Sequence, residues 1–224
     1  MASTKSVIKD ANIVDGLSLY DAGERLAQNY GLERTSLDYS KLHQIIEMLR
    51  SKNDFRPTQH SSLPISVDPK SAGQQRFLQA IERTQFEVDP VDYRDLYVSL
   101  PPGMQPKESH DRPVSSFASR ISYVLGRLSR HESSHIVVVS HSYELLWALS
   151  QVKAANPKSK VAVAYFEALL DFRWQYSGIK SKDYPVEFFP LDEFTEELFG
   201  IEPRFGSATR NQFSGPRPTG LNTY

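Results

Sequence analysis

The chain has 224 residues, no cysteine and a formal net charge of −1, which is long enough for one core of ordinary size. The missing cysteines exclude disulfides, thiolate zinc sites and cysteine nucleophiles. The near-zero charge excludes a molecule-wide field for nucleic acid, so any phosphate contact must be local.

Met1 to Lys9 lacks the apolar run of a signal peptide, and no stretch reaches the roughly 20 apolar residues of a bilayer span. We therefore expect a cytoplasmic protein without membrane contact. Along the chain, Val7-Ile8 reads as a short strand ending near Asp10, and Asp15-Gly16 breaks the chain. A helix follows from about Leu17 to Asn29, its face carried by Leu19, Ala22, Leu26 and Ala27 and its start capped by Asp15 or Ser18. Leu42, Ile45, Ile46 and Leu49 predict a second helix over Ser40 to Arg50, and Asn53 to Ser62 reads as a polar loop. Leu63 to Val67 alternates as a strand does, Ser71 to Arg83 has helical spacing, and Phe86-Glu87-Val88 and Leu96 to Leu100 read as short strands.

A helix opening at Pro113 carries one apolar stripe from Val114 to Leu128. The β-branched run Ile136 to Val139 predicts a central parallel strand buried on both faces. Ser140-His141-Ser142 leads into a helix over Tyr143 to Val152. Val161 to Tyr165 and Val186 to Phe189 read as strands, and Leu191 to Phe199 as a short acidic helix. The alternation predicts an α/β fold over residues 1–203, a mostly parallel sheet with helices on both faces. Residues 204–224 hold Arg204, Arg210 and Arg217, no acid, and many Gly, Pro, Ser, Thr and Asn; we expect a flexible tail that contacts a partner.

Ligands of such sheets bind at the carboxyl ends of the strands. Three polar groups are expected there: Asp10 to Asn12, Lys107 to Asp111, and Ser140 to Glu144. Each has a plain alternative as a turn or helix cap. Together, however, Asp10, Asp111 and Glu144 would gather three acids that repel unless a cation bridges them, and hard oxygen ligands favour Mg²⁺ or Mn²⁺. The candidate catalytic and metal set is thus Asp10, Asp111 and Glu144. Asn12, Lys107, Ser140, His141 and Ser142 are the candidate substrate contacts.

The order of these pieces resembles the NYN (LabA-like) branch of the PIN-like nuclease superfamily. Asp10-Ala11-Asn12 stands where that family has its first aspartate and asparagine. Leu37 to Leu42 is similar to the start of its second helix, and Gln74 to Val88 to its helix and F-E-V strand. Lys107 with the Pro113 helix is similar to its K-G-x-D start, and Ile136 to Leu146 to its strand, S-G-D-S-D and helix. Phe189 to Phe194 resembles its closing strand and helix. The resemblance implies a three-layer α/β/α sandwich and a metal-dependent endoribonuclease acting on RNA. It also exposes departures: His141, Ser142, Tyr143 and Glu144 replace a stretch with two carboxylates, and the second motif's acid aligns with His110, one residue before Asp111. An incomplete acid set implies weak metal binding and little cleavage, leaving RNA binding or assembly as the expected role.

Two rival patterns are weaker. Strand-Ser140-His141 resembles a late motif of histidine phosphatases, but the R-H-G those enzymes carry after the first strand is replaced by Lys9-Asp10-Ala11. His110 and His141 lack the spacing of a zinc pair. The aromatic stretch over 165–176, with Tyr165, Phe166, Phe172, Trp174 and Tyr176, suits a protein interface or self-association, with RNA stacking as the alternative.

Overall fold

The computed structural model describes residues 8–32, 36–67, 71–92, 117–131, 133–169 and 186–200. Six strands form one sheet: β1 (Ala11–Val14), β2 (His60–Val67), β3 (Phe86–Asp92), β4 (His135–Val139), β5 (Lys160–Tyr165) and β6 (Val186–Pro190). Their order is β3-β2-β1-β4-β5-β6, and every described pairing is parallel. The chain runs outward from β1 in one direction and then, from β4, in the other. Right-handed crossovers therefore place the two sets of connecting helices on opposite faces.

One face is covered by α1 (Gly16–Tyr30), α2 (Tyr39–Lys52), α3 (Ala72–Ile81) and the short α6 (Thr195–Phe199). Leu19, Leu26, Ile46 and Leu198 meet Val14, Val137, Val139 and Ala164 there. The other face is covered by α4 (Ala118–Leu128) and α5 (Leu145–Ala155), where Ile121, Leu125 and Leu149 meet Ile13, Ile136, Val138 and Val163. The architecture is a three-layer α/β/α sandwich, as the alternation of elements predicts. β4 lies at the centre with Ile136 to Val139 at 0% exposure, which is why its residues are apolar on both faces.

Two strand boundaries differ from the sequence expectation. The first strand is Ala11–Val14 and not a segment ending at Asp10. Its Asn12 is an interior residue at 0% exposure, so a polar side chain interrupts what would otherwise read as an apolar run. The polar segment before Leu63 is likewise not all loop, because β2 begins at His60 and buries Ser61 and Ser62. The expected strand over 96–100, the helix start at Pro113, most of the aromatic stretch and the 204–224 tail lie outside the described residues.

The helix starts follow ordinary capping chemistry. Asp15, Asp38 and Ser71 precede α1, α2 and α3 in extended backbone, and each side chain accepts the amide three residues on. Gly16 has a separate requirement. A Cβ there would lie 2.7 Å from the Pro64 carbonyl oxygen, so only glycine lets α1 begin this close to β2.

Candidate functional site

The chain reverses its direction of travel between β1 and β4, so their carboxyl ends form the topological switch point where open parallel sheets bind ligands. The residue leaving β1 there is Asp15. It is wholly buried, and its amide donates to Val139 O at 2.9 Å. One carboxylate oxygen accepts the Ser18 amide at 3.1 Å and the Phe117 amide at 3.4 Å. The other accepts the Ser140 hydroxyl at 2.9 Å. A single carboxylate thus ties the start of α1, the start of α4 and the end of β4. Burial pushes its carboxyl up to about 6 from an ordinary 3.8, against the lowering effect of those three donors.

Ser140, His141, Ser142 and Glu144 follow β4 at the same edge, as the sequence predicts. The Ser140 hydroxyl oxygen also accepts the Ser142 amide at 3.1 Å, and the Ser142 hydroxyl donates to the exposed Glu144 carboxylate. His141 turns inward. Its amide donates to Ser18 Oγ at 2.9 Å, and its Nδ1 lies 2.9 Å from the same oxygen. Its Nε2 accepts the Phe166 amide at 3.0 Å, and the ring stacks on Phe166 at 5.8 Å.

These contacts fix the histidine's chemistry. Nε2 must present its lone pair to Phe166 N–H, so the neutral ring carries its proton on Nδ1 and donates to Ser18. Burial, with Arg25 adding, drives the ring's pKa down to about 4, so it stays neutral. Nδ1 therefore has no lone pair with which to take the Ser18 proton, and Ser18 with His141 is not a nucleophile and its base. Nor does His141 offer Nε2 to a phosphate, as a phosphatase histidine would. It joins α1 and β4 to the end of β5.

Asp10 belongs elsewhere. It precedes β1, and one carboxylate oxygen accepts His135 N–H at 3.0 Å, at the start of β4. The same oxygen accepts Arg56 Nη2 at 2.8 Å and Nε at 3.1 Å. Five residues of β4 at about 3.3 Å each separate that edge from Ser140, roughly 17 Å. Asp10 and Glu144 therefore lie at opposite edges of the sheet and do not share an ion. The expectation that they converge is corrected, and its cause is the displaced first strand.

Asn12 is corrected as well. Its Oδ1 accepts Arg50 Nη1 at 2.8 Å, and its Nδ2 donates to Glu47 at 2.9 Å and Ser61 at 3.4 Å. Arg50, also at 0% exposure, spends its remaining donors on the carbonyls of Ala11, Arg56 and His135. Every polar atom of the Asn12 side chain is thus engaged within the protein, and none faces a substrate. Lys107, His110 and Asp111 lie outside the described residues. Among the described residues no group of three or more His, Asp or Glu is placed to hold a metal ion, and no helix is long and apolar enough to cross a membrane.

The sequence reading of Asp15 and Ser18 as candidate caps missed their place at the switch point. The signal was present: an acid and a glycine directly after the short buried run Ala11 to Val14. The strand order matches that of dinucleotide-binding folds, but the chemistry of this edge does not. The N-terminus of α1, which would take a pyrophosphate, is filled by the carboxylate of Asp15 itself. The chain matches no family model, no curated protein and no solved structure.

Proposed function

We propose that the chain is a PIN-like module of the NYN type whose phosphodiester-cleaving centre is closed, retained to bind RNA or assemble with a protein partner. The resemblance expects the family's first aspartate directly after the first strand. The resemblance reads Asp10 as that residue; with β1 at Ala11–Val14 the acid that follows the strand is instead Asp15, and Asp15 carries the proposal. Metal-assisted cleavage needs carboxylate oxygens open to an ion and to water. Here both oxygens of Asp15 are engaged by Ser18, Phe117 and Ser140, and the side chain has no solvent exposure.

After β4 the chain supplies Ser142 and Glu144 where the family has two carboxylates. Losing one ligand removes both a coordinating oxygen and a negative charge, so Mg²⁺ or Mn²⁺ would bind weakly and cutting would fall by orders of magnitude. RNA binding under this reading is local, weak and salt-dependent.

The test is incubation of purified protein with single-stranded and structured RNA in Mg²⁺ and in Mn²⁺, beside Asp15→Asn and Glu144→Gln variants. The expected result is cleavage at background for all three proteins. Robust cutting by the natural chain, lost in both variants, would restore an active metal-dependent endoribonuclease.

A further inference from the structure

We infer that the outer face of the α4–α5 layer binds single-stranded RNA. This rests on the RNA reading above and gives it a surface, one that uses none of the residues of the closed centre.

The local charge is unlike that of the whole chain. Ala118 to His131 and Leu145 to Lys160 contain six Lys or Arg and no acidic residue, while the chain carries a net −1. Acids return at Glu132 and Glu144, and Glu144 accepts the Ser142 hydroxyl at the carboxyl edge. Three of the six cations are engaged within the protein. Asp89 holds Arg120 by two hydrogen bonds at 2.7 and 2.9 Å. Lys153 donates to the carbonyls of Pro157 and Ser159, and Lys160 to that of Asn53. Arg127, Arg130 and Lys158 are exposed and form no ion pair among the described residues. They supply the local positive patch that a phosphate chain requires.

Two aromatic rings share the face. α4 turns Ile121, Leu125 and Leu128 to the core, and α5 turns Leu145, Leu149 and Val152. Helical spacing puts Tyr123, Arg127 and Arg130 on the outer stripe of α4 and Trp147 on that of α5. Trp147 at 70% and Tyr123 at 59% are the two most exposed large hydrophobic residues among those described. Both helices run antiparallel to the parallel strands and hence alongside each other in one direction. Their ends are joined at the amino edge, where Asn156 Nδ2 donates to the His131 carbonyl and Ser159 Oγ accepts the Ser134 amide at 3.1 Å. Arg130 and Lys158 therefore lie at that end, and the rings lie towards the other. Tyr123 and Arg130 are about two turns, or 10 Å, apart along the axis, the rise of about three stacked nucleotides.

Rings beside outward cations match a single strand, whose bases stack on the rings while its phosphates meet the cations. A duplex hides its base faces from them. A second copy would press Arg127 and Arg130 against themselves. An acidic peptide would match the charge, but peptides seat in an apolar groove or on an open sheet edge, and these rings stand on helix surfaces beside cations.

Fluorescence anisotropy of a labelled oligouridylate with about 1 to 500 µM full chain, at several salt concentrations, tests the surface. Three phosphate contacts predict a slope of log Kobs against log salt of about −2. Trp147→Ala and Tyr123→Ala should each weaken binding at least about fivefold and leave the slope unchanged. Arg127→Gln and Arg130→Gln should each make the slope shallower by about 0.7. All four variants should keep the Tm of the natural chain, and duplex RNA of the same length should bind more weakly. Variants that bind as the natural chain does, with the same slope, would overturn this surface and leave RNA binding to another part of the chain. No binding by the natural chain overturns the surface and the RNA reading together. Poly-glutamate that displaces the labelled strand as well as unlabelled oligouridylate does would assign the face to an acidic protein and also overturn the proposal.

Discussion

Replacing Asp15 by asparagine separates the shape of this side chain from its charge. Asparagine keeps an oxygen for the Ser18 and Phe117 amides, and Ser140 can turn its hydroxyl to accept from the new amide. A rise in carboxyl pKa from 3.8 to about 6 corresponds to about 3 kcal/mol between the protonated and ionised forms. The sign follows from the raised value: the contribution is complete below pH 3.8 and is lost as pH rises through about 6. The natural chain should therefore lose about 2.5 kcal/mol of this relative to Asp15→Asn between pH 4 and pH 7.5.

His141 and His135, each lowered to about 4 chiefly by burial, act in the opposite direction. Their contribution is present above pH 6.5 and is lost as pH falls towards 4. Both proteins share that loss, so it cancels in the difference between them. Urea unfolding of the two proteins at four pH values from 4 to 7.5 measures it. Parallel pH profiles would mean that the carboxylate is hydrated, and the closed site would be refuted.

Two further substitutions probe the framework. Asn12→Ala removes the acceptor of a wholly buried guanidinium and should cost about 2–3 kcal/mol in urea unfolding, while leaving any RNA affinity unchanged if Asn12 has no substrate role. Gly16→Ala sets a methyl against the Pro64 carbonyl and should cost about 1–3 kcal/mol, read as a lower denaturation midpoint.

Sheet architecture was legible where side chains follow one rule. Ile136 to Val139 are apolar because both faces of β4 are covered. The stripes of α1 and α2 are apolar because one face of each is covered. The sequence misled where a buried residue is polar and its partner lies far away. Asn12 satisfies Arg50, Glu47 and Ser61, from 35 to 49 residues distant, so β1 did not read as a strand and its start was placed four residues early. That displacement carried Asp10 to the wrong edge in the expectation and left Asp15 as a mere cap. Ser61 and Ser62 failed for a related reason, since small hydroxyl residues in a run resemble a loop until their neighbouring strands are known. Ser140 to Glu144 were placed correctly because β4, which precedes them, is unambiguous. The inward turn of His141 depends on Ser18 and Phe166, which no local pattern predicts.

A closed centre requires that Asp15 be engaged by the protein and shut to cations. Calorimetric titration of Mn²⁺ into the natural chain and into Asp15→Asn tests this directly. We expect millimolar or weaker binding, the same in both proteins. A micromolar site in the natural chain that Asp15→Asn abolishes would contradict it.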